Sequence, residues 1–454
     1  MLGAVPSPVS SLVPTPSVAG HRGASGHRPE HTLDAFALAL AMGVDDLELD
    51  LVATRDGHLV VRHDTELSRT TDVAARPELA HRRTTRVVDG ALLEGWFVDS
   101  LTLAELRTVR ARERLPRSRP VSAARDGRTG VATLDDVLTL VDDWCASTGQ
   151  RAGLLLELKH VAHLRAAGLP VDDLVLDALR RHGLDHDRSR VQVMAFEPEP
   201  LRRLAGTARV PLLQLVHRPE QVTARALGRV AAYADGIGCA KHLLLGDRGD
   251  RVVRDAHRRW LTVHAWTLAA ENRFLAPAHR IGSDPDLPGD LAAEARFLLR
   301  LGVDGLISDH PDEVVAARDR FVQVVRPTVR QGARRAARLV GPQRSSSVPC
   351  GGATQPACRE PQRCRLLSVV ASSPTAPATT QGIGSSHRTS WLPTRSAWTT
   401  AQTATRPRNA RLITRCPTWT GCRPDGAGEC SDMGSSSFTG APRSVRRRAW
   451  RRGG

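Results

Sequence analysis

The stretch LELDLVATRDGHLVVRHD, residues 47–64, alternates leucines with acidic residues before it reaches the pair Asp56-Gly57. Side chains of a strand point alternately to opposite faces, so residues 46–53 are predicted to form a strand with one apolar and one acidic face. Asp-Gly is typical of a hairpin turn, and residues 58–63 are therefore predicted to be an antiparallel partner strand. Burial of the acidic face, which carries Glu48 and Asp50, requires a compensating positive charge.

Seven further apolar runs between residues 17 and 325 have strand character. They are residues 17–21, 154–159, 191–196, 211–216, 235–240, 261–268 and 304–308. Helical patterns lie between them; the clearest are residues 33–42, 134–146, 172–182 and about 289–301, with Thr32 and Thr133 as N-caps and Gly183 and Gly302 as helix ends. Eight strands separated by helices predict an α/β protein with a TIM-like (β/α)8 barrel. An open doubly wound sheet is the alternative, but no glycine-rich phosphate loop follows the first strand.

Residues 65 to about 132 are too many for a single barrel connection. They are predicted to form a small inserted subdomain over one end of the barrel. Thr102 and Glu105 form a capping-box pattern, so one helix is predicted near residues 102–111 and loop elsewhere. The barrel domain then covers residues 17–325 and follows a flexible N-terminus, residues 1–16.

The formal net charge of +16 is confined to the end of the chain. Residues 326–454 contain 22 arginines and four acidic residues, whereas the first 325 residues have a net charge of −2. This Arg/Ser/Pro-rich segment is predicted to be a low-complexity tail that is disordered, or a GC-rich coding sequence read out of frame. The barrel itself is not expected to bind nucleic acid. Six of the eight cysteines lie in the tail, so the barrel needs no disulfide framework.

No run of residues approaches the ~18 consecutive apolar residues of a membrane-spanning helix. The first 20 residues lack a charged segment and are interrupted by prolines, which is unlike a signal peptide. The expectation is a cytoplasmic protein, or a secreted or periplasmic one if the true N-terminus carries a signal peptide. The oligomeric state is not predicted by any of these patterns.

Active sites of such barrels lie at the carboxyl ends of the strands, where several charged side chains are predicted to meet. The residues expected there are His21, Arg22, Glu48, Asp50, His63, Glu157 and Lys159. On the third strand, Leu155, Glu157 and Lys159 are predicted to face inward. Three carboxylates in one pocket repel each other, and a hard divalent cation with oxygen ligands relieves that repulsion. Glu48, Asp50 and Glu157 are therefore predicted to hold one Mg²⁺ or Ca²⁺.

The remaining groups favour an anionic phosphoryl substrate. Arg22 and Lys159 supply fixed positive charge beside the ion. His21 and His63 titrate near neutrality, so one can accept a proton while the other donates one. Such a combination suits phosphodiester cleavage. Trp266 is expected either to wall the substrate pocket or simply to pack. Structural roles are predicted for Asp309, and structural or surface roles for His58, His160, His163, His217 and His264.

Six motifs in order resemble the glycerophosphodiester phosphodiesterase family, in its larger bacterial type with an inserted subdomain, over roughly residues 17–318. They are GHRGASGHRPEHTLDAF, LELDLVATRDGHLVVRHD, LLLELK, YADGIG, HAWTL and DGLISDHPD. In the first motif, PEHT replaces the commoner PENT. The resemblance implies Glu48, Asp50 and Glu157 as ligands of Ca²⁺ or Mg²⁺, His21 and His63 as the acid/base pair, Arg22 and Lys159 on the phosphate, and Glu30 near the site.

The implied reaction converts small glycerophosphodiesters to glycerol 3-phosphate and an alcohol. Two alternatives remain. Related barrel lipases of the phospholipase D type, which also use two histidines and Mg²⁺, act on intact lipids. A non-enzymatic protein would instead use its basic tail to bind nucleic acid or an anionic membrane.

Overall fold

Eight parallel strands close into a barrel in the computed structural model, which describes residues 11–324. The strands of the protein are β1 (Ser17–His21), β2 (Asp46–Ala53), β3 (Leu59–Val61), β4 (Thr84–Val88), β5 (Ala91–Gly95), β6 (Gly153–Leu158), β7 (Val191–Ala195), β8 (Leu212–Val216), β9 (Gly236–Ala240), β10 (Thr262–Leu268) and β11 (Gly305–Ser308). The barrel order is β1-β11-β10-β9-β8-β7-β6-β2, and β2 pairs with β1 to complete the circle. The predicted (β/α)8 barrel is confirmed, with each barrel strand within one residue of its predicted bounds.

Helices cover the outside of the barrel, and two short ones belong to the insert. They are α1 (Leu33–Ala41), α2 (Leu103–Leu106), α3 (Pro120–Ala123), α4 (Leu134–Thr148), α5 (Val161–Ala166), α6 (Val171–Arg181), α7 (Pro198–Ala205), α8 (Ala224–Val230), α9 (Lys241–Leu244), α10 (Gly249–His257) and α11 (Leu291–Leu301). A last helical segment occupies residues 311–324. Short 3₁₀ helices occupy Val73–Ala75, Pro77–Arg82, Val98–Ser100, Pro219–Val222 and Pro277–His279. Thr32 and Thr133 cap α1 and α4 as predicted, because each hydroxyl accepts an N–H from the first helical turn.

The apolar core has two parts, because the side chains of each strand alternate between the barrel interior and the helices outside. Inside the barrel, a small cluster is formed by Ala19, Leu155, Met194, Leu213, Leu215 and Ile307, with Phe196 and Trp266 against it. Leu154, Leu156 and Leu158 of β6 point the other way and join the larger core between the sheet and the helices. Each fully buried leucine contributes about 1.5–3 kcal/mol. The same alternation places Glu157 on the inner face with Leu155, as predicted.

Most of the insert is irregular or turn, as predicted, but it also contains a β-hairpin and the short helix α3, which the prediction missed. β4 and β5 form an antiparallel hairpin, with Thr84 opposite Gly95 and Val88 opposite Ala91. Its turn is Asp89-Gly90, where both residues have positive φ, which suits the tight hairpin turns that match strand twist. The predicted helix near residues 102–111 is shorter than expected: α2 ends at Leu106, although its Thr102–Glu105 capping box is present.

The segment before β1 lies against the barrel where it is described. The hydroxyl of Ser11 and the N–H of Leu12 both donate to Asp304 Oδ1, at 2.7 Å each. The predicted flexible N-terminus, apart from residues 11–16, and the predicted tail, residues 326–454, lie outside the described residues. Within residues 11–324, no helix combines the length and the apolar character needed to cross a membrane.

Candidate active site

The register of three neighbouring strands brings the predicted metal ligands together. Glu48 of β2 is aligned with His21 of β1, and Asp50 of β2 is aligned with Glu157 of β6. Each of the three carboxylates offers an oxygen that lies within 4.8 Å of the other two. All three residues are buried, with 1%, 1% and 7% of their surface exposed for Glu48, Asp50 and Glu157. The acidic face predicted from residues 47–64 therefore forms a compact cluster inside the barrel mouth.

The three carboxylates differ in charge state. Burial, together with the charges of Asp50 and Glu157, raises the pKa of Glu48 well above its ordinary value. Burial also raises the pKa of Glu157 to about 7, even though the Lys159 ammonium opposes this shift. Burial acts on Asp50 in the same direction, but Lys159 and Arg22 hold its pKa well below the usual range. Near neutral pH the cluster therefore retains bound protons, and a divalent cation would displace them.

The donor set fits a hard cation. All three groups offer carboxylate oxygens, the ligand type that Ca²⁺ and Mg²⁺ prefer. Asp50 Oδ1 is buried and accepts no hydrogen bond from the described residues, although Lys159 Nζ lies 3.6 Å away. A buried carboxylate oxygen with an unused acceptor site is costly unless something positive approaches it. Glu48, Asp50 and Glu157 could therefore hold one divalent ion.

Two cationic side chains border the carboxylates. Arg22 Nε lies 3.2 Å from Asp50 Oδ2, and its backbone N–H donates to Glu48 Oε2 at 2.9 Å. Lys159 Nζ donates to Glu157 Oε1 at 2.6 Å. Arg22 and Lys159 are thus located beside the cluster, as predicted, and their charges partly offset the three carboxylates.

Each predicted catalytic histidine bonds to an aspartate through Nδ1. His21 Nδ1 lies 2.5 Å from Asp309 Oδ1, and its Nε2 lies 3.9 Å from Glu48 Oε2. His63 Nδ1 lies 2.6 Å from Asp64 Oδ1. An ionised carboxylate can only accept a hydrogen bond, so Nδ1 carries the proton and Nε2 is left for chemistry. Asp309, which was predicted to be structural, therefore contacts a candidate catalytic residue.

His63 differs from the expectation of titration near neutrality. Burial lowers its pKa to about 3, and the nearby charges of Arg22 and Lys159 contribute to the shift. The imidazole of His63 is therefore neutral at physiological pH.

Asp309, the partner of His21, is ionised. Despite burial, Arg119 and His21 hold the pKa of Asp309 well below the usual range, so its carboxylate stays charged beside His21.

His31 is a site residue that sequence reasoning missed. It is fully buried, and its Nε2 lies 2.8 Å from Asp50 Oδ2. Its backbone has φ of 59°, a left-handed conformation that turns the chain just before the capped helix α1. The only sequence signal was its position in the PEHT motif, where an Asn, a residue that tolerates this conformation, is commoner.

The last two predicted site residues occupy distinct places. Glu30 lies behind Arg22: both of its oxygens are 3.2 Å from Arg22 Nη1, and Arg114 donates to it at 2.7 and 2.8 Å. Trp266 packs edge-to-face against Phe196, with ring centroids 5.5 Å apart. Its indole nitrogen is buried and has no hydrogen-bond partner among the described residues.

The fold and the residues at its mouth define a (β/α)8-barrel enzyme whose acidic cluster is flanked by histidines and cationic side chains. The model of the glycerophosphoryl diester phosphodiesterase family matches residues 21–313, and the chain belongs to this family. The predicted enzyme class, a phosphoric diester hydrolase acting on glycerophosphodiesters, is thereby confirmed.

The chain is also similar to individual proteins that carry this family's name. Glycerophosphodiester phosphodiesterase GDPD6 of Arabidopsis thaliana is 28% identical over 319 residues, which cover 64% of this chain and 82% of the plant protein. The glycerophosphodiester phosphodiesterase of Haemophilus influenzae is 26% identical over 333 residues, covering 65% and 87% of the two chains. A solved structure from Silicibacter pomeroyi DSS-3, bearing the same family name, matches with a TM-score of 0.50 and 27% identity; it covers 70% of this chain and 96% of that one.

Proposed function

We propose that this enzyme hydrolyses small glycerophosphodiesters to glycerol 3-phosphate and an alcohol, with one divalent cation and two histidines. The observation that carries the proposal is the cluster of Glu48, Asp50 and Glu157, whose oxygens lie within 4.8 Å of one another beside His21. Buried carboxylates that repel each other destabilise the fold, but their oxygens are well suited to bind a divalent cation.

Glu48, Asp50 and Glu157 would hold the cation, Ca²⁺ or Mg²⁺. Once bound, it would neutralise charge on the phosphodiester and polarise a phosphoryl oxygen. The choice between the two ions depends on how far the three side chains can adjust, because Mg²⁺ demands a tighter octahedral geometry than Ca²⁺. His31 would fix the orientation of Asp50 through its 2.8 Å hydrogen bond.

Arg22 and Lys159 would bind the phosphate. Lys159 is buried and Arg22 is mostly buried among the carboxylates. Their charges therefore act in a site of low dielectric, where electrostatic interactions are stronger than at a surface. Glu30 supports this arrangement from behind, because it pairs with Arg22 and directs the guanidinium toward the mouth. Trp266 would form part of the pocket wall, with its buried indole N–H available to an oxygen of the substrate.

His63 and His21 would share proton transfer. His63, whose imidazole is neutral at physiological pH, would accept a proton from the water that attacks phosphorus. His21 would donate a proton to the leaving oxygen, because the ionised Asp309 beside it stabilises the imidazolium form. These roles require both Nε2 atoms to face the phosphodiester.

The test is a coupled assay for released glycerol 3-phosphate, with the full chain and with glycerophosphocholine and glycerophosphoethanolamine as substrates. We expect release that EDTA abolishes and that added Ca²⁺ or Mg²⁺ restores. Release that persists unchanged in EDTA would reject the metal requirement. A protein that binds metal but cleaves none of these substrates would reject the substrate assignment.

A further inference from the structure

Two arginines of the insert reach the partners of both candidate catalytic histidines. Arg114 and Arg119 belong to a segment that we name the arginine loop, residues 112–128. The loop is closed at its base, where the N–H of Ala111 donates to the Thr129 carbonyl at 2.8 Å and the N–H of Gly127 donates to the Ala111 carbonyl at 3.0 Å. A closed base fixes where the loop lies, so the two arginine side chains start from defined positions.

Arg114 is part of a chain of contacts that starts at His63 and ends at Glu30. His63 Nδ1 bonds to Asp64 Oδ1 at 2.6 Å, and Arg114 Nη2 donates to Asp64 Oδ2 at 2.7 Å. The same guanidinium donates from Nε and Nη2 to the two oxygens of Glu30. Although burial acts in the other direction, His63 and Arg114 keep the pKa of Asp64 well below its ordinary value. The sequence of contacts is therefore His63, ionised Asp64, Arg114 and Glu30.

Arg119 repeats this pattern at His21. His21 Nδ1 bonds to Asp309 Oδ1, and Arg119 Nη2 donates to Asp309 Oδ2, both at 2.5 Å. The guanidinium also donates from Nε to Glu271 Oε1 at 2.6 Å and from Nη1 to the Ser25 carbonyl at 3.0 Å. In both arginines, Nε and Nη2 face a glutamate. Nη2 also donates to the aspartate oxygen that does not bond to the histidine.

This repeated arrangement has a direct consequence for the imidazole rings. A histidine held only by a mobile aspartate can rotate, whereas an aspartate fixed on both oxygens holds the ring in one orientation. Arginine is suited to this task because its planar guanidinium offers several donors in a fixed geometry and never loses its charge. Nε2 of both histidines is then directed away from the aspartates.

We propose that the insert completes the active site, with Arg114 positioning His63 through Asp64 and Arg119 positioning His21 through Asp309. This inference rests on the proposed acid/base function of the two histidines. It assigns Arg114 and Arg119 as positioning residues, since neither contacts the carboxylate cluster, and it gives the insert a catalytic purpose besides covering the barrel.

A purely structural role would also bury these arginines, because both tie the insert to the barrel. The two roles differ in what each arginine controls. If Arg119 only anchors the loop, its loss affects stability and both histidines alike. If it positions His21, its loss changes His21 and leaves His63 as it was, and Arg114 shows the reverse.

The experiment compares R114A and R119A with R82A in the full chain. Arg82 is the matched control, because it makes a comparable paired contact to Glu105 within the insert, at 2.6 and 2.9 Å, without touching either histidine's partner. Histidine labelled with ¹⁵N reports the Nδ1–H proton resonances, which the H21Q and H63Q variants assign. This measurement needs no substrate. Steady-state kinetics on glycerophosphocholine give kcat and KM, with and without added guanidinium far below denaturing concentration.

We expect R119A to shift or lose the His21 Nδ1–H resonance only, and R114A that of His63 only. For R119A, kcat should fall by about 10- to 100-fold with KM nearly unchanged, and guanidinium should restore part of kcat. R119K, which keeps the charge but loses the planar fork, should be intermediate; it also serves if R119A does not fold. R82A should resemble the parent in every measurement.

Parental kcat in R114A and R119A while H21Q and H63Q lose activity, or loss of both resonances in either variant, would overturn the proposal in favour of simple anchoring. A failure of the proposed function looks different: H21Q and H63Q would then retain activity, while the two arginine variants would still alter the resonances of their own histidines.

Discussion

His31 Nε2 and Asp50 Oδ2 form a 2.8 Å hydrogen bond in the interior of the barrel mouth, and neither residue has more than 1% of its surface exposed. Asp50 is ionised, so the imidazole donates and the carboxylate accepts. Burial lowers the pKa of His31 to about 4 even beside this carboxylate, so the ring is neutral. The bond is a fixed support for a candidate metal ligand, since a neutral ring neither competes with a cation nor repels it.

We expect H31A to weaken binding of Ca²⁺ or Mg²⁺ by about 10- to 100-fold, because Asp50 loses its orienting donor. H31N should bind more tightly than H31A, since Asn tolerates the left-handed backbone at this position and its amide can still donate. Titration calorimetry on the two variants and the parent measures the affinities. Equal affinity in H31A and the parent would mean that Asp50 needs no support from His31.

The repulsion within the carboxylate cluster predicts an unusual stability profile for E48Q. In EDTA, E48Q should unfold at the same temperature as the parent or higher, because the substitution removes a buried acid that two neighbouring carboxylates disfavour. Added Ca²⁺ or Mg²⁺ should raise the melting temperature of the parent and not that of E48Q.

The control for E48Q is E220Q, which removes a carboxylate whose side chain is 68% exposed. This variant should respond to the metal like the parent. If the metal stabilises E48Q as much as the parent, Glu48 is not a ligand.

Metal affinity should rise with pH through the neutral range. Burial raises the pKa of Glu157 to about 7, so below that pH the cation must displace a proton to bind. The pKa of Glu157 is higher in the folded protein than in the unfolded chain. The stability that Glu157 contributes to the metal-free protein is therefore complete below about pH 4.5 and is lost as the pH rises through about 7. Calorimetric titrations at about pH 6 and about pH 8 should show tighter binding at the higher pH. Flat affinity across this range would contradict a protonated cluster.

Sequence reasoning located the barrel well because its signals are local. Alternation within β2 and β6 fixes which side chains face inward, so the pattern places Glu48, Asp50 and Glu157 on the inner face. Their proximity then follows from the barrel order, in which β2 and β6 are paired. The hairpin of β4 and β5 was missed although Asp89-Gly90 resembles Asp56-Gly57. Most of its strand residues are exposed or half-exposed on both faces, so no alternation marks it.

The supports of the site could not be predicted in this way. Arg114 meets Glu30 across 84 residues, and Arg119 meets Asp309 across 190. These contacts depend on the path of the insert over the mouth, which no periodic pattern encodes. His31 reaches Asp50 through a left-handed backbone turn, which again leaves no periodic signal.

The two histidines should separate binding from turnover. H21A and H63A remove no oxygen ligand from the cluster, so both variants should bind Ca²⁺ or Mg²⁺ within a few-fold of the parent. Their kcat should fall by about 100- to 10,000-fold, the usual range for a lost general acid or base. Calorimetry and the glycerol 3-phosphate assay, on the same preparations, measure the two effects. Turnover that survives in both variants would remove the acid/base pair from the mechanism.

Removal of the basic segment tests the alternative of a tail that binds polyanions. Every candidate site residue lies between His21 and Asp309, and the family match ends at residue 313. A chain ending at residue 325 should therefore keep the kcat and KM of the full chain on glycerophosphocholine. The full chain carries an excess of 18 positive charges after that point, so any retention on heparin or on vesicles containing phosphatidylserine should disappear with the truncation. Loss of hydrolysis in a truncated chain that still melts cooperatively would place part of the catalytic machinery beyond residue 325.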